Sequence, residues 1–432
     1  MTRCGGRIPN SKSQIPNNQI GSKNQKTKRD LSVCEHLEFC GFEFVWDLDL
    51  GIWGFERAAK ARMRILISPD KFKGSLSAQE VAENIAAGLR DVLPDSIIES
   101  VPVADGGEGT SEVISRACGA KWITCEAHDP IGRPIEARYS WLEKSGTAVM
   151  EMSEAAGLWR LSAQERDPLR ASTTGVGEML RDAFAHNPTE VVIGLGGSAT
   201  NDGGFGMARA LGYRFFDHDD NELKESVGDL IRLHHCSSPR DLALPRVTGA
   251  ADVRNPLLGA RGATRTFGPQ KGVVSDQIDL FEAALAQLAD VVRRDLGVDS
   301  RDVPGAGAAG GLGFGLMSFC GATIRPGFEL VAEMLNLEAI IRKADFVITG
   351  EGSLDDQTLE GKAPAGIAKI ARKVGKRVFA IVGRASEQTQ AREIFDGVLT
   401  LVQPSVTREN AMENTAILLR ERARELGKSL RS

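Results

Sequence analysis

From Met63 onward, short apolar runs alternate with longer stretches in which apolar residues recur at helical spacing. Ile65 to Ile67 is a compact apolar run that stops at Ser68-Pro69, which predicts a buried strand ended by a turn. The next stretch, Ser77 to Leu93, places Val81, Ala82, Ile85, Ala86 and Leu89 on one helical face, and Ser77 with Glu80 forms a capping box at its start. Further strands are expected at Ile97 to Val103, Asp345 to Thr349, Arg377 to Val382 and Val398 to Val402, with a helix at Ala363 to Lys373. In the middle of the chain, Glu136 to Trp141, Ala148 to Met152, Val191 to Leu195 and Arg246 to Ala251 read as strands between helical stretches.

This alternation predicts an α/β protein with parallel sheet wrapped by helices. A chain of 432 residues is long for one core and fits two lobes with a cleft between them. Because both ends carry the same kind of strand and helix alternation, residues 63–124 and 345–432 are expected to form one discontinuous parallel-sheet lobe. Residues 125–344 are expected to form an inserted second α/β lobe. Residues 1–62 differ: the first thirty are rich in Asn, Ser, Lys, Gln and Pro and poor in large apolar side chains. They read as a disordered extension, or as upstream sequence ahead of a true start at Met63.

Charge and composition remove several function classes. The net charge is −5, and no dense Lys/Arg stripe is present, so nucleic acid is not an expected partner. Seven cysteines, odd in number and without a C-x-x-C pair, point to a reduced, cytoplasmic protein without structural zinc. The best apolar N-terminal stretch, Phe39 to Phe55, is broken by Glu43, Asp47 and Asp49, so neither a membrane span nor a secretory leader is expected.

Five segments combine glycine with charged or hydroxyl residues, four of them at or shortly after the end of an expected strand, where α/β sheets bind ligands. SPDKFKGS supplies Lys71 and Lys73, cations suited to phosphate or carboxylate. ADGGEGT flanks Gly106 and Gly107 with Asp105 and Glu108, where glycine amides can approach a phosphate and a carboxylate can hold a metal or take a proton. IGLGGSATNDGGFG offers Gly196, Gly197, Ser198, Thr200 and Asn201 as an anion cradle, followed by Asp202. PGAGAAGGLGFG matches G-x-G-x-x-G at Gly305, Gly307 and Gly310, a weak dinucleotide signal because no expected strand leads into it. TGEGSLDDQTLEGK carries Glu351, Asp355, Asp356, Thr358 and Lys362. Together these are the parts that phosphoryl transfer needs: carboxylates for Mg²⁺, amides and lysines for phosphates, and a spare carboxylate as base. Walker A and protein-kinase signatures are absent, as are H-E-x-x-H and G-x-S-x-G.

The ordered series SPDKFKGSLSA, ADGGEGT, HDPIGRP, IGLGGSATNDGG, FGPQKG, GAGAAGGLG and TGEGSLDDQT resembles the type 1 glycerate kinase family, from Met63 almost to the C-terminus. The resemblance implies ATP and D-glycerate as substrates, Mg²⁺ as the metal and, as is common in bacterial members, 2-phosphoglycerate as product. By position it implies Asp202 or Asp105 as base or metal ligand, with Glu108, Glu351 and Asp356 as further metal candidates. It implies Lys71 or Lys73 on phosphate or on the glycerate carboxylate. Arg133, Asn255 and Lys271 join Thr358 and Lys362 as candidates for holding substrate. Competing readings are a nicotinamide-dependent hydroxy-acid oxidoreductase and a non-catalytic metabolite sensor. Homo-oligomerisation is left open.

Overall fold

The computed structural model describes residues 62–432 apart from 225, 361, 387, 388 and 432. It also describes the backbone of three short antiparallel strands, Glu38–Phe39, Phe42–Trp46 and Trp53–Glu56. Apart from those strands, the expectation for residues 1–62 lies outside the described residues.

Two larger sheets organise the chain from Arg62 on, which forms one compact unit. The first has five parallel strands in the order Gly397–Thr400, Arg377–Val382, Phe346–Thr349, Arg64–Ile67 and Ile97–Ser100. Its strands therefore come from both ends of the chain. The second has six strands in the order Thr323–Arg325, Arg246–Ala250, Glu190–Gly194, Thr147–Glu151, Pro134–Leu142 and Lys121–His128. The first four of these run parallel and the last two pair antiparallel. The second sheet is thus mixed, parallel over four strands and antiparallel at one edge. The reason is connection length: the turns at 129–133 and 143–146 are too short for a crossover and can join only antiparallel neighbours. The strand Lys121–His128 also runs through the expected boundary at position 125.

Alternation along the strands explains how the layers stack, because successive side chains point to opposite faces. Ile65 and Ile67 pack with Phe346, Ile348 and the helices Ala78–Val92 and Thr415–Ser429. Leu66 and Val347 point the other way and share a cluster with Val149, Val192 and Ala250 of the six-stranded sheet. On that sheet's other face, Ala148, Met150, Val191 and Ile193 join a third cluster with Phe281, Leu285 and Phe314. A shared apolar cluster thus brings the two sheets together. The helix Ala78–Val92 starts at the expected capping box, with the Ser77 side chain and Glu80 bonded reciprocally, and Ala363–Lys373 is helical as expected.

Candidate active site

The loops that matter leave the carboxyl ends of strands in both sheets. After Arg64–Ile67 the chain turns at Ser68-Pro69-Asp70, and after Phe346–Thr349 at Gly350-Glu351. Asp70 N donates to the Gly350 carbonyl at 2.9 Å, and Thr349 Oγ1 to the Ser68 carbonyl at 2.8 Å, so the two turns lie side by side. The third loop, Ala104 to Gly109, follows the strand Ile97–Ser100 and crosses onto the end of the six-stranded sheet. Glu151 at that end accepts from Gly109 N at 3.0 Å and Ser111 N at 2.8 Å, tying down the start of the helix Thr110–Cys118. The glycines of this loop are explained by close approach: a Cβ on Gly196 would lie 2.5 Å from the Gly107 Cα. Only glycine allows the two loops to cross there.

Asp105 is half-buried, and its carboxylate accepts from Gly107 N at 3.2 Å. Three other carboxyl groups sit within its field. Asp70 is pushed up to about 8 by burial and then by the charge of Asp105. Asp252, just past the strand Arg246–Ala250, is pushed up to about 7 by burial and then by Asp105. Glu351 is also pushed up to about 7, chiefly by burial, with the charges of Asp355 and Asp105 adding to it. Like charges in a partly dry site disfavour ionisation of each other, so the group as it stands holds more negative charge than its surroundings compensate. Glu151 is raised as well, by burial.

The cations around the cluster are Lys71 and Lys362. Lys71 Nζ donates to the Glu108 carbonyl and stands 3.8 Å from the Glu108 carboxylate. Lys362 Nζ lies 3.9 Å from Glu351 and 3.6 Å from Asp355, while Thr358 Oγ1 donates to Glu351 at 2.6 Å. Lys73 is exposed and makes no ion pair among the described residues.

Other expected site residues stand elsewhere. Asp202 is 1% exposed, and its two oxygens accept from Thr173 N at 2.8 Å, Thr173 Oγ1 at 2.7 Å, and Gly204 N and Gly206 N at 3.1 Å. It anchors its own loop. Lys271 is buried with it, donates to the Thr200 carbonyl at 2.7 Å, and is pushed down to about 7 by burial, against the opposing charge of Asp202. Asn201 donates to Thr264 Oγ1 at 2.9 Å. Gly310, at φ +68°, and Gly307 pack against backbone, the first on Thr200 and Asn201 and the second on Pro256, while Gly305 packs against the Ile324 side chain. No strand precedes them, so the dinucleotide reading of this stretch finds no support. Ser198 is buried, and the Gly197 carbonyl accepts from Leu158 N at 2.8 Å. Arg133 is engaged with Asp129, with Glu165 at 2.7 Å and with the Arg160 carbonyl at 3.0 Å. Asn255 Nδ2 donates to the Arg261 carbonyl at 2.6 Å. Asp356 accepts from Thr389 Oγ1 at 2.6 Å and ties two turns together.

The structure thus gathers Lys71, Asp105, Gly106, Gly107, Glu108, Glu351, Thr358 and Lys362. It adds Asp70, Glu151 and Asp252, which sequence reasoning passed over. The available signal for Asp70 and Asp252 was the one used for the others: both lie within three residues of the carboxyl end of a strand.

Among the described residues no three His, Cys, Asp or Glu side chains stand close enough to hold a metal ion by themselves. Mg²⁺ in phosphoryl-transfer sites usually takes one or two carboxylates and fills its shell with water and phosphate oxygens. Mutually repelling carboxylates around Asp105, with the buried Asp252 Oδ2 lacking any hydrogen-bond partner, fit that sparse ligation.

Comparisons with known proteins agree on one family. A model described as Glycerate kinase family matches residues 65–431. The chain is similar to the glycerate kinase of Bacillus subtilis (strain 168), 40% identical over 374 residues, spanning 85% of this chain and 98% of that protein. It is similar to the glycerate 2-kinase of Escherichia coli (strain K12), 44% identical over 332 residues, spanning 75% and 86% respectively. A crystal structure from Salmonella typhimurium LT2, of a protein assigned as glycerate kinase 2, superposes with a TM-score of 0.75 at 39% identity, covering 86% of this chain and 98% of that one.

Proposed function

The chain belongs to the glycerate kinase family, and from that premise we propose that it transfers the γ-phosphoryl group of ATP to D-glycerate, giving 2-phosphoglycerate. The observation that carries this reading is the convergence of Asp70, Asp105, Asp252 and Glu351 from loops of two different sheets. In this reading residues 63–124 with 345–432, and residues 125–344, act as two lobes that enclose the substrates. The origin of the five-stranded sheet in both chain ends supports that division.

Asp252 and Glu351 are the residues suited to hold Mg²⁺, which would supply charge neutralisation across the transferring phosphoryl group. Asp105, with a single backbone amide on its carboxylate and open to the site, is placed to take the proton of the attacking hydroxyl. Lys71 orients the Glu108 side of the Asp105 loop and offers a positive charge beside Asp70. Asp202, 1% exposed and accepting from three amides and a hydroxyl, serves as a structural anchor. A cytoplasmic location suits these substrates; no described helix is long and apolar enough to cross a membrane.

Incubation of the purified protein with ATP, Mg²⁺ and D-glycerate, with ADP release followed by a coupled assay and phosphorus NMR of the product, tests the reading. A 2-phosphate signal is expected. A 3-phosphate signal would correct the site of attack, and no ADP above the glycerate-free control would overturn the activity.

A further inference from the structure

Two cavities, with no lining residue in common, each include one carboxylate of the cluster. The larger, about 1150 Å³, has Asp70 and Lys71 in its wall; the smaller, about 700 Å³, has Asp252 in its wall. The smaller lies between the strand-end turn at 251–254 and the helix Ala363–Lys373. Each therefore borders one carboxylate of the group, and the question is which one holds the nucleotide.

Charge decides between them. The larger cavity carries three cations, Lys71, Lys73 and Arg116, against six carboxylates from Asp70, Glu80, Glu83, Glu99, Glu108 and Glu112, a balance of −3. The smaller carries four cations, Arg254, Arg325, Lys369 and Lys373, against three carboxylates, a balance of +1. Arg254 and Lys369 are exposed and make no ion pair among the described residues, so their charge is open to a ligand. A nucleoside triphosphate, with several negative charges, is drawn to the positive cavity and repelled from the negative one, whereas a singly charged acid meets a smaller repulsion there and can pair locally with Lys71 and Lys73. The walls agree: Val253, 36% exposed, and Leu359, 40% exposed, reach the smaller cavity from separate turns, and Ile324, Phe328 and Ile370 line it. Exposed apolar side chains facing one cavity suit the flat faces of a base.

We propose that the nucleoside triphosphate occupies the smaller cavity, its phosphates beside Arg254 and Lys369 and its base against Val253 and Leu359, while the three-carbon acid enters from the Lys71 and Lys73 side. This rests on the phosphotransfer reading above. The hydroxyl and the terminal phosphate then meet at the carboxylate group that the two cavities border through Asp70 and Asp252.

The test is calorimetric binding of a non-hydrolysable ATP analogue, with steady-state KM values for ATP and D-glycerate, in the full chain and in two variants at exposed positions. Removing two phosphate contacts in the double variant Arg254→Gln/Lys369→Gln should weaken analogue binding and raise KM for ATP by about tenfold or more, leaving KM for glycerate nearly unchanged. Lys73→Gln should show the reverse split. The opposite pattern would place the nucleotide in the larger cavity and overturn the assignment, as would equal effects of both variants on both substrates. A wild-type chain that neither binds the analogue nor releases ADP fails at the phosphotransfer reading itself, before any variant is compared.

Discussion

Two loops of this chain carry the same tripeptide, Asp-Gly-Gly, and they end in opposite environments. Asp105-Gly106-Gly107 crosses between two sheets with one backbone amide on its carboxylate and other carboxyl groups around it. Asp202-Gly203-Gly204 turns inward, and Thr173, Gly204 and Gly206 direct three amides and a hydroxyl at the carboxylate while Lys271 is buried nearby. Local sequence is shared, so the difference lies in how many donors the fold aims at each acid. A buried carboxylate that accepts four donors holds structure; one with a single donor and crowded by like charge is available to a metal or a proton.

The comparison can be broken by removing each charge in turn. Asp105→Asn should lower kcat by about two orders of magnitude or more, the usual size of a lost general base. Its melting temperature should not fall, because the substitution relieves repulsion on Asp70, Asp252 and Glu351. Near-normal turnover would take Asp105 out of the role. For Asp202→Asn the loss should be one of stability, about 1–3 kcal/mol by denaturant titration, from setting an amide NH₂ against buried backbone donors. A stable Asp202→Asn protein with collapsed kcat would reverse the two assignments.

Smaller effects sharpen the contrast. Gly310→Ala places a Cβ against the Thr200 carbonyl at a backbone angle of φ +68°, so it should cost roughly 1–3 kcal/mol of stability while leaving KM values close to wild type. Circular dichroism melts with parallel kinetics would check it. The smallest effect is a pH slope. Lys271 is pushed down to about 7 in the folded protein from an ordinary value of 10.5, so between those limits the unfolded chain holds a proton that the folded one lacks. The contribution of this group to stability is then greatest above pH 10.5, falls as pH drops toward 7, and is level below. Denaturant titrations at pH 7 and 9 should show the wild type gaining on Lys271→Met at the higher pH; a constant gap would mean that Lys271 keeps its proton.

Much of the architecture was legible because it rests on local periodicity. The two-residue alternation that separates Leu66 from Ile65 and Ile67, or Val149 from Ala148 and Met150, already assigns opposite faces. The antiparallel edge at Lys121–His128 was passed over although Ile123, Cys125 and Ala127 alternate with Thr124 and Glu126, because its pairing depends on the partner strand Pro134–Leu142. In the site, Asp105, Glu351 and Lys71 were found because glycine or lysine marks their turns. Asp70 and Asp252 were passed over because an acid after a strand has no local feature that says which way it faces.

By itself the sequence determined the strand and helix alternation, the capped helix after the first strand, and the ordered segments that place the chain in its family. These depend on neighbours within a few residues or on their order along the chain. Only the tertiary structure decided which of two identical tripeptides would be tied by buried donors and which would stand among other carboxyl groups. Two of the four donors to Asp202 come from Thr173, 29 residues away, and the crowding of Asp105 comes from turns at 70, 252 and 351, distances over which no local pattern can aim a side chain.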